Sequence, residues 1–504
     1  MEKTAVPSST TREILDEKTQ QYQNNDIKNL DTESALSDVS SWSISSILEK
    51  QLVRKLDTWL IPLLGIMKML HGYERTVISN AKLGGLMSDI SLTDSQYLWC
   101  LSIFQVGYIL LNVPCNIIIR RWRPSIFLAI LTLLWGIIAM STAAATTFIG
   151  LFMARFAMGV AEAGFLPGSA YVLSIWYTRK ELARRSGYLF ILSCLSGATG
   201  GLIAYGITFI STEKLNSWQW MFIIEGSPCI VFAAITYFLL PDNYSKAKFL
   251  TDEQKQLQEK RMEIDQGAAG DTSWSWAQVR SIFTDWKIYM YAIIHICTSV
   301  TGAGVSLSLP SLINGMGDWG TDVSLALTTP PYALSCILIF IGAWSSDRFL
   351  DRSIHLVAGN LLCALGYLLM MFAPLDSVGA RYFAVCIALG GNYMVFPIKI
   401  AWYSNNFSGL TRRAIAVGVI ASVDSIGSAF GSQIYFDGPN YFWGNTIGLI
   451  CIVVQIIAVI ILRLLLQRQN KKRDAMTPEE KEQEISKYDP HLIGDRHPEF
   501  RYVL

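Results

Sequence analysis

The chain has 504 residues, of which 51% are hydrophobic and 16% are charged, and its formal net charge is +1 at pH 7. Soluble domains carry about 25% charged residues, so this composition argues against a soluble enzyme, and the charge balance gives no indication of nucleic-acid binding. The nine cysteines form no CxxC pair, which argues against a disulfide framework or a metal site.

The apolar residues occur in blocks of about 20 residues, the length that crosses a bilayer as an α-helix. The segment "FLAILTLLWGIIAMSTAAATTFIG" is one such block. This pattern predicts an all-α membrane protein with twelve transmembrane helices and little separate soluble structure. The predicted spans are 59–81, 97–118, 126–145, 148–173, 186–210, 220–240, 288–312, 325–345, 355–373, 380–403, 414–435 and 442–466.

Polar segments flank and divide these spans. Residues 1–50 lack the apolar core of a signal peptide and are predicted to form a disordered tail. The central loop contains "LTDEQKQLQEKRMEI", a predicted polar helix with Thr251 as its N-cap. The predicted organisation is a tail (1–50), a six-helix half (51–240), a loop (241–287), a second six-helix half (288–466) and a charged tail (467–504).

Basic residues are concentrated in loops at one end of the predicted helices, whereas opposite loops such as "NGMGDWGTD" have none. Short cytoplasmic loops are enriched in Lys and Arg, so both termini are predicted to be cytoplasmic. We expect the plasma membrane, with the endoplasmic reticulum or the vacuole as alternatives. The basic residues are Arg120, Arg121, Arg123, Arg179, Lys180, Arg184, Arg185, Arg348, Arg352, Arg412 and Arg413.

The two predicted halves share a local pattern. Span four exits through "WYTRKELARRSG" and span ten through "WYSNNFSGLTRRAI", and each leads into a Gly-rich span. A parallel repeat of six plus six helices is a transporter architecture, with the substrate site near the midplane between the halves.

Several motifs carry a more specific resemblance, which covers about residues 50–466. They are "RFAMGVAEAG" with Arg155, Gly159 and Ala163, "AWSSDRFLDR" after span eight, "EAGFLPG", "SWQWMFIIEG", "FLTDEQ" and "WYSNNFSGLTRR". Together they resemble the major facilitator superfamily and, within it, the fungal anion:cation symporters that include allantoate, nicotinate and pantothenate permeases. The resemblance implies the major facilitator fold. The chain departs from the family in carrying Glu74-Arg75 where Asp-Arg is usual.

Arg155 and Glu162 are charged residues in an apolar span, where a charge costs at least about 2.5–3.5 kcal/mol. They are two helical turns, or about 10 Å, apart on one face, with Gly159 between them to admit a neighbouring helix or a substrate. The resemblance implies proton coupling for Glu162, and Arg155 is a predicted substrate contact. The alternative is a static Arg155–Glu162 ion pair that ties spans four and one together.

Span one carries a polar stripe of Lys68, His71, Glu74 and Arg75 within an arc of about 120°. Arg75 is the best candidate for a substrate carboxylate, because its planar guanidinium binds both oxygens. Glu74 is either a second proton site or the partner of Arg75. His71 is either a substrate contact or a packing residue, and Lys68 is expected to extend its ammonium group towards the interface.

Later spans offer further polar side chains. Tyr108 and Asn392 are predicted substrate contacts, although ordinary packing is an equal alternative for Tyr108. Lys399 is expected to have an interfacial role, and Asn405 is a weaker site candidate.

Four further charged or titratable residues are candidates for a role in coupling or gating. Asp424 is either a coupling site or the partner of a buried cation, and the role of His295 is left open. Asp347 and Arg348 are predicted to act as a gate latch in their loop.

The function implied by the resemblance is proton-coupled import of a small organic anion by alternating access. We expect a monomer in the lipid bilayer with no cofactor, whose partners are the anion and protons. The alternatives are a drug or cation antiporter of the same fold, which the absence of proline in 186–210 disfavours, and a nutrient sensor that does not transport.

Overall fold

The computed structural model describes residues 32–210, 212–267, 276–349, 351–408, 410–436, 441–486 and 494–504. By its contacts the chain divides into two units, Met1–Thr58 and Trp59–Leu504. All sites considered below lie in the second unit.

Seven helices precede the central loop in the described part of the chain. They are α1 (Thr32–Ala81, continued by the π-helical turn Lys82–Leu86 and by Met87–Asp89), α2 (Asp94–Arg121), α3 (Pro124–Thr142), α4 (Phe148–Glu162), α5 (Phe165–Trp176), α6 (Arg179–Thr208) and α7 (Ser217–Leu239). We call α1 to α7 the first set. The central loop contains a 3₁₀ turn (Tyr244–Lys246), α8 (Asp252–Gly267) and α9 (Trp276–Phe283).

The second set comprises the helices that follow the central loop. They are α10 (Trp286–Asn314), α11 (Thr321–Ala326), α12 (Thr329–Phe349), α13 (Arg352–Phe372), α14 (Val378–Asn406), α15 (Leu410–Gly431) and α16 (Phe442–Asp474). They are followed by α17 (Pro478–Ser486) and a 3₁₀ turn (Gly494–Arg496).

Two predictions about the polar segments have different outcomes. The helix over "LTDEQKQLQEKRMEI" is confirmed as α8, and Thr251 caps it through reciprocal bonds with Gln254. Residues 32–50 belong to α1, so this part of the predicted disordered tail is helical, and 1–31 lie outside the described residues. No Gly or Pro occurs in 32–58, so this stretch contains no strong helix breaker.

Among the described residues, ten helices are long and apolar enough to cross a membrane, which confirms ten of the twelve predicted spans. The other two predicted spans, 59–81 and 414–435, lie in helices α1 and α15. The charged stripe of span one reduces its apolar character, and the apolar stretch of α15, Ile415–Gly431, is shorter. Large apolar side chains such as Phe238 and Phe340 are exposed, as lipid contact requires.

Helices α2 and α4 cross with their backbones in contact. A Cβ atom added at Gly107 would collide with the carbonyl oxygen of Phe156, and one added at Gly159 would collide with that of Phe104. Gly159 therefore admits a neighbouring helix, as its position in the sequence predicted. Such approach through small residues is a usual way to pack helices in membranes.

Predicted span four is interrupted directly after Glu162, because α4 ends there and α5 begins at Phe165. Pro167 has no N–H group to donate to the carbonyl of Ala163, so the hydrogen-bond ladder cannot continue. The break places Glu162 at a helix end in the interior of the protein, where it is fully buried.

Hydrogen bonds between the two sets lie at one end of the bundle. The Oγ atoms of Ser102 (α2) and Ser432 are 2.8 Å apart, and Gln433 donates to the carbonyl of Leu98 at 3.0 Å. Thr329 (α12) also donates to the carbonyl of Ala198 (α6) at 2.9 Å. The opposite end of the helices carries Arg121, Arg185, Arg352 and Arg412, and we call it the arginine-rich end.

Residues 495–504 pack against the arginine-rich end of the second set, which sequence reasoning did not anticipate. The carbonyl of Val503 accepts hydrogen bonds from Trp402 Nε1 at 2.8 Å and from Asn406 Nδ2 at 2.9 Å. Asp495, fully buried, pairs with Lys287 and, at 3.1 Å, with Arg412. This C-terminal segment, 495–504, therefore joins the ends of α10, α14 and α15.

Candidate functional site

A cavity of about 330 Å³ lies between the two sets of helices. Its wall includes all five residues predicted to contact substrate, which come from helices that are distant in sequence. These residues are His71 and Arg75 of α1, Tyr108 of α2, Arg155 of α4 and Asn392 of α14. Lys68 also lines the cavity rather than extending to the interface, so the wall of the first set carries several cations.

Arg75 presents an open guanidinium group to the cavity. Its side chain is 35% exposed, and the guanidinium lies over the rings of Phe104 and Tyr108 at 5.2 and 5.0 Å. Its Nε donates to Glu162 Oε2 at 3.4 Å. Stacking on two rings fixes the plane of the guanidinium, so its remaining N–H groups are held ready for a planar anion such as a carboxylate.

Glu162 lies behind this cavity wall. Besides Arg75, its Oε2 has His71 Nε2 at 3.2 Å, a close approach without hydrogen-bond geometry. Its other oxygen, Oε1, has no hydrogen-bond partner among the described residues. Glu162 is therefore a fully buried carboxyl whose hydrogen-bond donor, Arg75, lines the cavity.

Arg155 does not form the ion pair with Glu162 that was the alternative prediction. Its Nη1 donates to the backbone carbonyl of Glu74 at 3.4 Å, and its guanidinium lies over the Phe104 ring at 4.9 Å. The salt bridge that joins spans one and four is Arg75–Glu162 instead. Arg155, two turns away on the same helix, is too far from Glu162 for a salt bridge, whereas Arg75 on α1 reaches it.

Glu74 is not the partner of Arg75, so that alternative is wrong. Its side chain is directed away from the cavity, with Oε1 3.9 Å from the Sγ of Cys229 and Oε2 without a partner among the described residues. Glu225 of α7 lies close enough to repel it, and both oxygens of Glu225 lack hydrogen-bond partners in the described structure. Sequence reasoning missed Glu225, although an acid within an apolar span was a visible signal.

Asn392 and Tyr108 differ in how free they are to bind a ligand. Asn392 Nδ2 already donates to the Thr298 carbonyl at 3.1 Å and to Thr301 Oγ1 at 2.7 Å, so its amide joins α14 to α10. Tyr108 is buried against Arg75 on the cavity wall, and its ring supports that guanidinium.

The wall of the second set carries a separate charged cluster. Asp424 Oδ1 lies 3.1 Å from Lys399 Nζ and 3.2 Å from His295 Nδ1. Asp424 is therefore the partner of a buried cation, as one alternative proposed. The interfacial role expected for Lys399 is wrong, because α14 continues to Asn406 and leaves Lys399, 1% exposed, inside the protein.

The remaining predicted residues lie outside the cavity wall. Asn405 is exposed near the end of α14. Asp347, near the end of α12, pairs at 2.6 Å with Arg352, the first residue of α13, and the guanidinium of Arg348 lies over the Trp344 ring at 5.5 Å. Both contacts lie within the second set. The role of Asp347 and Arg348 as a gate latch therefore stays a prediction.

Comparison with known proteins agrees with this architecture. Residues 64–432 match the model of the Major Facilitator Superfamily. The chain is 31% identical over 464 residues to the high-affinity nicotinic acid transporter of Saccharomyces cerevisiae, covering 92% of this chain and 86% of that protein. It is also 31% identical to an uncharacterized transporter of Schizosaccharomyces pombe, covering 93% and 92% of the two chains.

Solved structures show the same fold at lower identity. A D-xylose-proton symporter superimposes with a TM-score of 0.63 at 16% identity, over 81% of this chain and 97% of that one. A bacterial homolog of the human lysosomal transporter Spinster gives a TM-score of 0.61 at 17% identity, over 81% and 96%. The chain therefore belongs to the Major Facilitator Superfamily and is a secondary transporter.

Proposed function

We propose that this protein imports a small organic anion together with protons, by alternating access between two six-helix halves, 51–240 and 288–466. The observation that carries the proposal is the position of Arg75. One side of its guanidinium contacts the buried carboxyl of Glu162, and the other is open to the cavity. The name of the nicotinic acid transporter, a 31% identical relative, supports a carboxylate substrate.

This geometry supports a mechanism in which the substrate and Glu162 compete for Arg75. While Glu162 is ionised, its charge partly neutralises Arg75. A proton on Glu162 removes that interaction, and the full charge of Arg75 becomes available to a substrate carboxylate. Anion and proton then bind together, and inward proton flow offsets the cost of moving an anion into a negative cytoplasm, about 2.3 kcal/mol per charge per 100 mV.

The proposal also includes two further buried acids, Glu74 and Glu225. Two buried acids that repel each other are most stable when at least one carries a proton. We therefore propose Glu74 as a second proton site. The protein is proposed to act as a monomer in the plasma membrane within a fungal family of anion symporters, with both termini in the cytoplasm.

Uptake in proteoliposomes tests the function and the role of Arg75 together. Labelled nicotinate, pantothenate and allantoate are offered with an acidic exterior, and at least one should accumulate in a protonophore-sensitive manner. Arg75→Lys keeps the charge but loses the planar fork, so the affinity for that acid should fall about tenfold.

Arg463→Lys is the matched control, because Arg463 pairs with Asp351 outside the cavity at 2.7 Å; its affinity should equal that of the wild type. The absence of pH-driven uptake of any organic acid would contradict the proposed function. Equal affinity in the Arg75→Lys and Arg463→Lys variants would remove Arg75 from the binding site.

Glycosylation tests the proposed orientation. The chain has two Asn-x-Ser sequons, at Asn243 and Asn406, and glycans are added only on the lumenal side. Asn406 is fully buried, so its modification state gives no information on orientation. Asn243 is exposed, and it should remain unmodified because its loop is proposed to be cytoplasmic. A sequon with a Gly/Ser spacer inserted into 315–320 should be modified. A glycosidase-sensitive gel shift at Asn243 would reverse the orientation.

A further inference from the structure

His295 has one ring nitrogen that the protein uses and one that it does not. Nδ1 lies 3.2 Å from Asp424 Oδ1, whereas Nε2 is buried and has no hydrogen-bond partner among the described residues. The side chain is 4% exposed and forms part of the cavity wall. Buried polar atoms are nearly always hydrogen-bonded, so an unpartnered one on a side chain that lines a cavity points to a ligand.

The surroundings of His295 fix both its orientation and its tautomer. Its ring packs edge-on against Tyr403 at 5.2 Å, which holds the ring plane. Asp424 also receives the ammonium group of Lys399 at 3.1 Å. Because a carboxylate can only accept, Nδ1 must carry the hydrogen atom. In the neutral ring Nε2 then has a free lone pair and is a hydrogen-bond acceptor.

The two walls of the cavity therefore offer different chemistry. Arg75 on the first set donates, and His295 on the second set accepts. A substrate that satisfies both needs a carboxylate at one end and an O–H or N–H donor away from it. The charge of Asp424 is already shared with Lys399, so this wall does not require a cationic ligand.

We infer that His295 Nε2 is the second anchor for the substrate and accepts a hydrogen bond from a hydroxyl, amide or ring N–H group remote from the carboxylate. This inference rests on the proposed function, since Arg75 must hold the carboxylate. It narrows the substrate class to small organic acids that bear a hydrogen-bond donor, which among the acids offered above favours pantothenate and allantoate over nicotinate, whose ring nitrogen is an acceptor. Because each wall holds one end, both anchors are satisfied only when the two sets enclose the same molecule.

Binding of matched acids to the purified full-length protein, measured by calorimetry, tests this assignment. The aromatic probes are 4-hydroxybenzoate and 4-methoxybenzoate, and the aliphatic probes are 4-hydroxybutanoate and 4-methoxybutanoate. Each pair keeps the carboxylate and the oxygen but differs in the donor hydrogen. In the wild type, the hydroxy acid of a pair that binds should bind about tenfold more tightly than the methoxy acid.

Two variants of His295 separate its ring nitrogens. His295→Asn places an amide near the position of Nδ1, so the bond to Asp424 is kept while the Nε2 acceptor is lost. The hydroxy-to-methoxy preference should fall to about one. His295→Gln places an amide oxygen near the position of Nε2 and should retain part of the preference. The control, His71→Phe on the opposite wall, should change both affinities together and leave their ratio intact.

The outcomes distinguish this inference from the proposed function. If no organic acid binds at all, the proposed function fails and the inference with it. If acids bind but the wild type shows no donor preference, or His295→Asn keeps the wild-type ratio, the assignment of His295 is overturned while anion transport stands. The wild-type ratio decides the matter even if a variant does not fold.

Discussion

Replacing Glu162 with Gln is expected to abolish proton-driven accumulation of the transported acid while leaving substrate exchange across the membrane. Gln has the shape of a protonated carboxyl and cannot release a proton. In this variant Arg75, which Glu162 contacts at 3.4 Å in the wild type, is permanently available to the substrate. The acid should bind at least as tightly as to the wild type, and its affinity should no longer depend on pH.

Counterflow and concentrative uptake in the same proteoliposomes measure the two activities separately. Retained counterflow shows that Glu162→Gln is folded and able to change its access. Glu162→Asp serves as the matched variant, because it restores a titratable group at the end of α4 and should recover part of the accumulation. Wild-type accumulation by Glu162→Gln would show that the coupling proton binds elsewhere, with Glu74 as the next candidate.

Replacing Asp495 with Asn is expected to destabilise the second set by about 3–5 kcal/mol, the usual cost of removing one partner from a buried ion pair. Asp495 is fully buried between Lys287 and Arg412. Without it, Asp285 is the one acid among the described residues that remains paired with these two cations, at 3.4 Å from Lys287 and 3.0 Å from Arg412. The apparent melting temperature of the purified protein reports the loss.

The effect of Asp495 should also depend on pH. Burial alone would raise the pKa of Asp495, but Lys287 and Arg412 outweigh burial and hold its pKa below the ordinary carboxyl value. A lowered folded pKa stabilises the fold above the ordinary carboxyl range and loses this contribution as the pH falls through the folded value. The difference between wild type and Asp495→Asn should therefore be largest near neutral pH and shrink in acid.

Asp474→Asn is the control for this prediction. Asp474 pairs with Arg501 of the same C-terminal segment at 2.8 Å, but the two side chains are 62% and 39% exposed. Exposed pairs contribute little, about 0–1 kcal/mol, so this variant should melt close to the wild type. Equal melting of the two variants would show that the buried pairs of Asp495 do not hold the segment in place.

The sequence predicted the features that depend on local pattern. Apolar blocks located the spans, and three of the four residues of the polar stripe on span one, Lys68, His71 and Arg75, line the cavity, whereas Glu74 does not. Gly159 was recognised as a point of close approach from its place between two charged residues. Each of these follows from helical periodicity, which can be counted along the chain.

The features that sequence reasoning missed depend on contacts between distant residues. The partner of Glu162 is Arg75, 87 residues away, rather than Arg155 on its own helix. Lys399 was placed near an interface because span ten was expected to end at 403, whereas α14 continues to Asn406. The burial of Asn406 depends in part on Val503, 97 residues away. No local pattern encodes these distances.

The backbone contact between α2 and α4 also sets the distance between two parts of the proposed coupling machinery. Phe104 and Tyr108, which support the Arg75 guanidinium, belong to α2, and Glu162 ends α4. A slide of one residue, about 1.5 Å along the axis, would bring a side chain into the place of Gly107 or Gly159. The two helices therefore cannot shear past each other, and the Phe104 and Tyr108 rings that support Arg75 keep their distance from Glu162. In the proposed mechanism, protonation of Glu162 and the arrival of substrate, and not deformation between α2 and α4, then decide what binds Arg75.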